Sequence, residues 1–173
     1  MRVLPHSAVL RLLGVMVLVP ALAVDSGGRE KGPWHGKACA VVLTYDDALN
    51  VHLDTAIPLL DSLGLRATFY ISGLSPGFSG RVNDWIAAAK RGHELGNHTL
   101  FHPCAGGGAG REWVQPEYDL NTYTIRRLLD EIRMAQTLLG IIDGGRPRTF
   151  AYPCGDRAIG AVHWNRYLSS AAP

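Results

Sequence analysis

Two patterns of apolar and polar positions alternate along this chain. Ala38 to Thr44 is a continuous apolar run, the signature of a strand buried on both faces. Asn50 to Leu63 carries Ile57, Leu60 and Leu63 on a helical period, with Asp54 in the opening turn and Gly64 as a stop. Pro58 fits that helix only near its first turn or as a kink. Arg66 to Ser72, rich in β-branched and aromatic residues, predicts a second strand. A loop over 75–80, a short helix over 84–91 closed by Gly92, and a weak third strand over 93–96 follow. The longest predicted helix is 121–139, where Ile125, Leu128, Leu129, Ile132, Ala135 and Leu139 form one stripe with Gly140 beyond it. Thr149 to Tyr152 is the next expected strand. Alternating strands and helices imply an α/β fold with a parallel sheet, open or closed into a barrel.

The first 23 residues break this pattern. Arg2 and Arg11 accompany an acid-free apolar run that ends Ala21-Leu22-Ala23, which reads as a signal peptide cleaved after Ala23. A membrane anchor is the alternative, but the run is well short of the roughly 20 residues a span needs. Residues 24–37, rich in Gly and charge, read as a linker, leaving 38–173 as the domain. The charge balance changes accordingly. The whole chain has 17 Lys and Arg against 15 Asp and Glu, and removing the leader leaves 15 of each over 150 residues. Neither balance gives an electrostatic footprint for nucleic acid. Export would place Cys39, Cys104 and Cys154 where disulfides persist, and Cys104 with Cys154 is the expected pair because each sits beside a polar cluster. Three free buried thiols are the competing expectation.

Three clusters carry chemistry, each just past the carboxyl end of an expected strand, where parallel α/β folds keep their sites. Thr44-Tyr45-Asp46-Asp47 places two carboxylates together; alone, they could equally be turn formers. His98-Thr99-Leu100-Phe101-His102 spaces two imidazoles four apart, on one face of an expected helical turn, so that both reach one metal ion. Two imidazoles and one carboxylate suit zinc and leave an open position at which water is activated. The second carboxylate then serves as general base, although spacing does not say which of Asp46 and Asp47 takes which role. Phe150-Ala151-Tyr152-Pro153-Cys154-Gly155-Asp156 leaves its strand irregularly, and its turned amides could face a developing oxyanion.

In order and spacing these clusters resemble the polysaccharide deacetylases, the NodB-homology domain or carbohydrate esterase family 4, over about residues 38 to 160. The resemblance implies a deformed (β/α) barrel and a divalent metal, usually zinc and sometimes cobalt. It implies removal of acetyl groups from N- or O-acetylated polysaccharide. It makes Asp46 the base; Asp47, His98 and His102 the metal ligands; and the Cys154 amide an oxyanion donor. Tyr152, Pro153 and Trp113 are the expected substrate contacts, and the product would be secreted, periplasmic or surface-bound.

Four departures accompany the match. Ala48 stands where glycine is common, Cys154 where an aromatic is common, and Ala151 where an arginine pairs with the base, a role for which Arg148 or Arg157 is the substitute. The sequence reaches Pro173 soon after the third cluster, so a barrel incomplete at its carboxyl end is expected, without the Leu-x-x-His segment that supplies the general acid. A carbohydrate-binding remnant of the same fold is therefore the alternative function. An unrelated metallohydrolase is weaker, because His35, His52, His93 and His163 lie in no comparable spacing.

Overall fold

A computed structural model describes residues 36–168; the leader and residues 24–35 of the linker lie outside them. Three parallel strands form the sheet in the order β1 (Thr44–Tyr45), β2 (Thr68–Ile71), β3 (Glu94–Asn97). Thr44 pairs with Thr68, and Thr68 in turn with Glu94, so the three parallel strands start level and their following loops share one edge, with β1 two residues shorter than its neighbours. Among the described residues the sheet is open, with no closed barrel.

The strand expected at 38–44 is shorter and differently placed. Only from Leu43, whose carbonyl accepts the Thr68 N–H (3.0 Å), does the segment meet β2. Val41 and Val42 are 79% exposed, so an apolar run here does not mean burial on two faces. The 149–152 segment contributes one bridge, Asn97 to Phe150, in place of a strand. Asn97 donates to Thr149 O (2.9 Å) and accepts from Ala151 N–H (3.1 Å), but the Thr149 N–H is taken by the Glu94 carboxylate. Pro147 and Pro153, which have no N–H to give, bracket the segment.

Helices cover the sheet. The first begins with a π-helical turn, His52–Ala56, and continues as α1, Ile57–Ser62. Widening the turn before Pro58 places the proline in the first turn of α1, where its missing N–H costs nothing. A single helical turn, α2 (Pro76–Ser79), occupies the expected loop, and α3 (Val82–Lys90) follows. The long helix α4 spans Ile125–Asp143, shifted from 121–139. Its start is set by Thr124, whose side chain accepts the Arg127 N–H, while residues 120–122 form a separate 3₁₀ turn. Its end is at Gly144 (φ 80°), since Gly140 stays inside the helix. A small hairpin, β4 (Ala158–Ile159) and β5 (Val162–His163), lies beyond.

The core falls into two clusters. In the first, Phe69, Ile71 and Leu95 of the sheet meet Ile57, Leu60, Trp85, Ala88 and Leu139. Phe69 is fully buried, stacks on Tyr45 (5.0 Å between centroids) and contributes about 1.5–3 kcal/mol by burial. In the second, Leu120, Tyr123, Leu128, Leu129 and Ile132 enclose Trp164. Trp85 and Trp164 are thus core residues, and Trp113 is 54% exposed.

Candidate metal centre

Asp47, His98 and His102 converge above the carboxyl ends of β1 and β3, their ligand atoms all within 4.8 Å of one another. Asp47 Oδ1 lies 3.4 Å from His98 Nε2 and 3.1 Å from His102 Nε2. The two rings stand edge to face with centroids 4.8 Å apart.

The backbone that achieves this is not the expected helical turn. At the end of β3, Asn97 Oδ1 accepts the Thr99 N–H (2.9 Å) and Thr99 Oγ1 accepts the His102 N–H (2.9 Å), two local turns in succession. Thr99 (φ 65°) and His102 (φ 54°) take left-handed conformations, doubling the chain back so that both rings face Asp47. Asn97 Nδ2 donates to the Ile132 carbonyl (3.0 Å), anchoring the turn to α4. The polar residues between the histidines, not helical spacing, make the pair converge.

The acid loop is strained in a matching way. Asp47 (φ 72°) and Ala48 (φ 51°) are both left-handed, which explains the glycine expected at 48 and costs about 1–2 kcal/mol per residue. Three contacts hold it. Ser75 Oγ donates to Ala48 O (3.2 Å), buried His52 accepts the Leu49 N–H through Nδ1 (3.2 Å), and Gly77 approaches so closely that a Cβ there would strike the Ala48 carbonyl. His52, without motif spacing, is therefore a support of the loop; burial pushes its pKa down against the pull of Asp47 and Asp46.

The donor set fits a divalent ion. His98 is buried and its Nδ1–H donates to the Ala151 carbonyl (2.9 Å), which fixes the tautomer and leaves the Nε2 lone pair facing Asp47. The adjoining His102 and His98 rings hold the Asp47 carboxyl well below the usual carboxylate range, so it is an anion at any physiological pH. Two imidazoles and one carboxylate are a donor set that could hold a divalent metal ion.

The other expected site residues divide. Asp46 is exposed beside Asp47, and Trp113 lines an open cleft with Asp47, Leu49, Ser72, Leu74, Phe101 and His102. Sequence reasoning missed the apolar members of that cleft, which follow strand ends without any polar signal. Cys154 (φ 56°) forms a disulfide with Cys104, Cα–Cα 5.8 Å, and Cys39 is free and exposed. Tyr152 packs on Phe150 and Trp164, and Pro153 is buried; neither lines the cleft. Arg148 is committed elsewhere, to Asp143 (2.9 Å) and the Leu95 carbonyl (2.8 Å), and Arg157 is exposed beside Ala158 and His163. Neither takes the expected place beside Asp46. Arg111 instead joins Asp156 (2.7 Å) and the Cys154 carbonyl (3.4 Å), tying the end of the glycine-rich segment 105–110 to the third cluster.

Comparison with known proteins agrees with this geometry. The sequence profile of the polysaccharide deacetylases matches residues 35–169, and the chain belongs to that family. A gellan lyase of Bacillus sp is 31% identical over 131 residues, 75% of this chain and 5% of that protein. Among solved structures, the Streptococcus pyogenes deacetylase PplD in complex with acetate superposes with a TM-score of 0.62 at 18% identity, covering 79% of this chain and 54% of PplD. BA3943, a family 4 carbohydrate esterase pseudoenzyme from Bacillus anthracis, gives 0.52 at 18% identity, covering 73% and 40%. The fold is that of the carbohydrate esterase family 4 barrel, present here as an open part. The chain spans between 5% and 34% of the length of the curated relatives it matches.

Proposed function

We propose that the chain is an exported, metal-dependent hydrolase that removes acetyl groups from N- or O-acetylated polysaccharide. The observation that carries this reading is the convergence of Asp47, His98 and His102 on one open point in a polysaccharide deacetylase chain. Export rests on the leader-like residues 1–23, and among the described residues no helix is long and apolar enough to cross a membrane.

A divalent ion, zinc or cobalt, held by Asp47, His98 and His102 would act as a Lewis acid toward water and the acetyl carbonyl. Asp46, exposed and next in the chain to Asp47, takes the proton of the attacking water as general base. The Cys154 amide donates to the oxygen that gains charge as the tetrahedral centre forms. Trp113 offers an exposed indole face to the apolar face of a pyranose ring. Tyr152 and Pro153 act indirectly, by fixing the backbone that presents the Cys154 amide.

A glycan-binding protein without catalysis is the second reading, favoured by the likeness to the Bacillus anthracis pseudoenzyme and by the absence of an arginine beside Asp46 at position 151. The two separate on Asp46→Asn, assayed on chitin oligomers, peptidoglycan and acetylxylan with zinc present. The hydrolase reading expects acetate release to fall about 10²–10⁴-fold with glycan binding retained. Binding without release in both proteins would establish the second reading instead.

A further inference from the structure

We propose that Cys104, Cys154 and His102 form a second metal site, suited to zinc or another thiophilic divalent ion, that opens when the Cys104–Cys154 disulfide is reduced. It shares His102 with the first site, and in that respect it rests on the assignment above.

The two donor sets meet the same ring from opposite sides. His102 Nε2 faces Asp47 Oδ1 at 3.1 Å, while Nδ1 lies 3.6 Å from Cys104 Sγ. Cys104 Sγ, Cys154 Sγ and a nitrogen of His102 all lie within 4.8 Å of one another. Tetrahedral zinc with Zn–S bonds of about 2.3 Å separates its sulfurs by about 3.8 Å, an opening that side-chain rotation supplies. The backbones are held without the disulfide. Cys104 is buried, donates its N–H to Tyr118 O (3.2 Å) and accepts the Leu120 N–H (3.0 Å). Asp156 accepts from the Ala105 N–H (2.8 Å) and pairs with Arg111 (2.7 Å), so the two cysteine segments stay adjacent when the sulfurs part.

Reduction by a dithiol breaks the S–S bond: two electrons and two protons pass to the sulfurs, and the donor becomes its own disulfide. Metal binding then displaces both thiol protons. Two thiolates neutralise the ion, the His102 imidazole is the third ligand, and water completes the tetrahedron. A neutral imidazole has one free lone pair, so ligation through Nδ1 moves the proton to Nε2, which then donates to Asp47 and no longer offers a lone pair to the first site. The two sites compete for one ring, and thiol oxidation decides which has it.

Cobalt titration of the full chain carrying Cys39→Ser tests this, with the protein oxidised and after reduction by a trialkylphosphine. Sulfur-to-cobalt charge-transfer absorption is expected only in the reduced protein. It should persist in Asp47→Ala, vanish in the Cys104→Ser/Cys154→Ser double variant, and need about tenfold or more cobalt in His102→Ala. If reduction alone unfolds the chain, refolding by cobalt with the same absorption, followed by circular dichroism, supports the site. No such absorption at saturating cobalt, or absorption indifferent to His102→Ala, overturns it. An oxidised protein that binds no cobalt would instead sink the first-site assignment, so the two failures are distinct.

Discussion

Asp47 shows how little a motif says without its backbone. Its two neighbours His98 and His102 are legible in the sequence as a pair of possible ligands, but the reason that they meet is the Asn97–Thr99 turn, which uses polar residues that carry no metal-binding signal. The orienting contact from His98 to the Ala151 carbonyl was likewise invisible, because a carbonyl belongs to every residue type. Trp113, expected from the sequence as a substrate contact, is exposed, whereas Trp85 and Trp164 are buried. Trp113→Ala should raise KM about 3- to 10-fold with kcat nearly unchanged, measured on an acetylated chito-oligomer; an equal loss in kcat would place the indole in the chemistry instead.

His93 is a second residue whose role is set by burial. Its Nδ1 accepts the Ala67 N–H (3.3 Å) and its Nε2 faces Asp61 (3.2 Å), so the neutral ring satisfies both neighbours, whereas a protonated one would set Nδ1–H against a donor. Burial pushes its pKa below the ordinary 6.5, with Asp61 opposing in part. The stability this ring contributes is complete above 6.5 and is lost as pH falls from there through the lowered folded value. The slope is at most about 1.4 kcal/mol per pH unit for one proton. Thermal unfolding followed from about pH 8 to about pH 5 should therefore fall more steeply for the wild type than for His93→Asn. Parallel curves would show that the proton is not linked to folding.

Elements followed the sequence where one force dominated. β2, β3 and α3 lie within two residues of their expected bounds, because aromatic content, apolar period and Gly92 agree there. β1 and the 149–152 segment did not, since strand extent depends on a neighbour's hydrogen bonds, and Val41 and Val42 have no strand beside them among the described residues. Pro58 lies in the first turn of α1, one of the two places expected for it, but the π-helical turn that precedes it is a compensation that periodicity cannot anticipate. The close approach of α2 to the acid loop gives a test at this scale. Gly77→Ala should displace the Ala48 carbonyl, cost about 1–3 kcal/mol in denaturant unfolding and weaken cobalt binding at Asp47. A variant with native stability and affinity would mean that the loop yields freely.

At the scale of the molecule, the parallel order of β1, β2 and β3 brings the loops that follow them to one edge, and the Cys104–Cys154 disulfide ties the loop after β3 to the 150–156 segment. The α/β class and the three clusters were readable because strands alternate with helices and polar residues recur at strand ends. The open sheet among the described residues agrees with the incomplete barrel expected above, whereas the Arg111–Asp156 tie across the loops was not legible, since salt-bridge partners 45 residues apart leave no local trace. The proposed function rests on Asp47, His98 and His102 as metal ligands with Asp46 as their neighbouring base. Its most direct test is acetate release from an acetylated chito-oligomer as zinc is added to metal-free protein. Release should be absent at first, rise with zinc, level off at one equivalent and disappear in Asp47→Ala; release independent of zinc, or none at any zinc loading, would contradict the account.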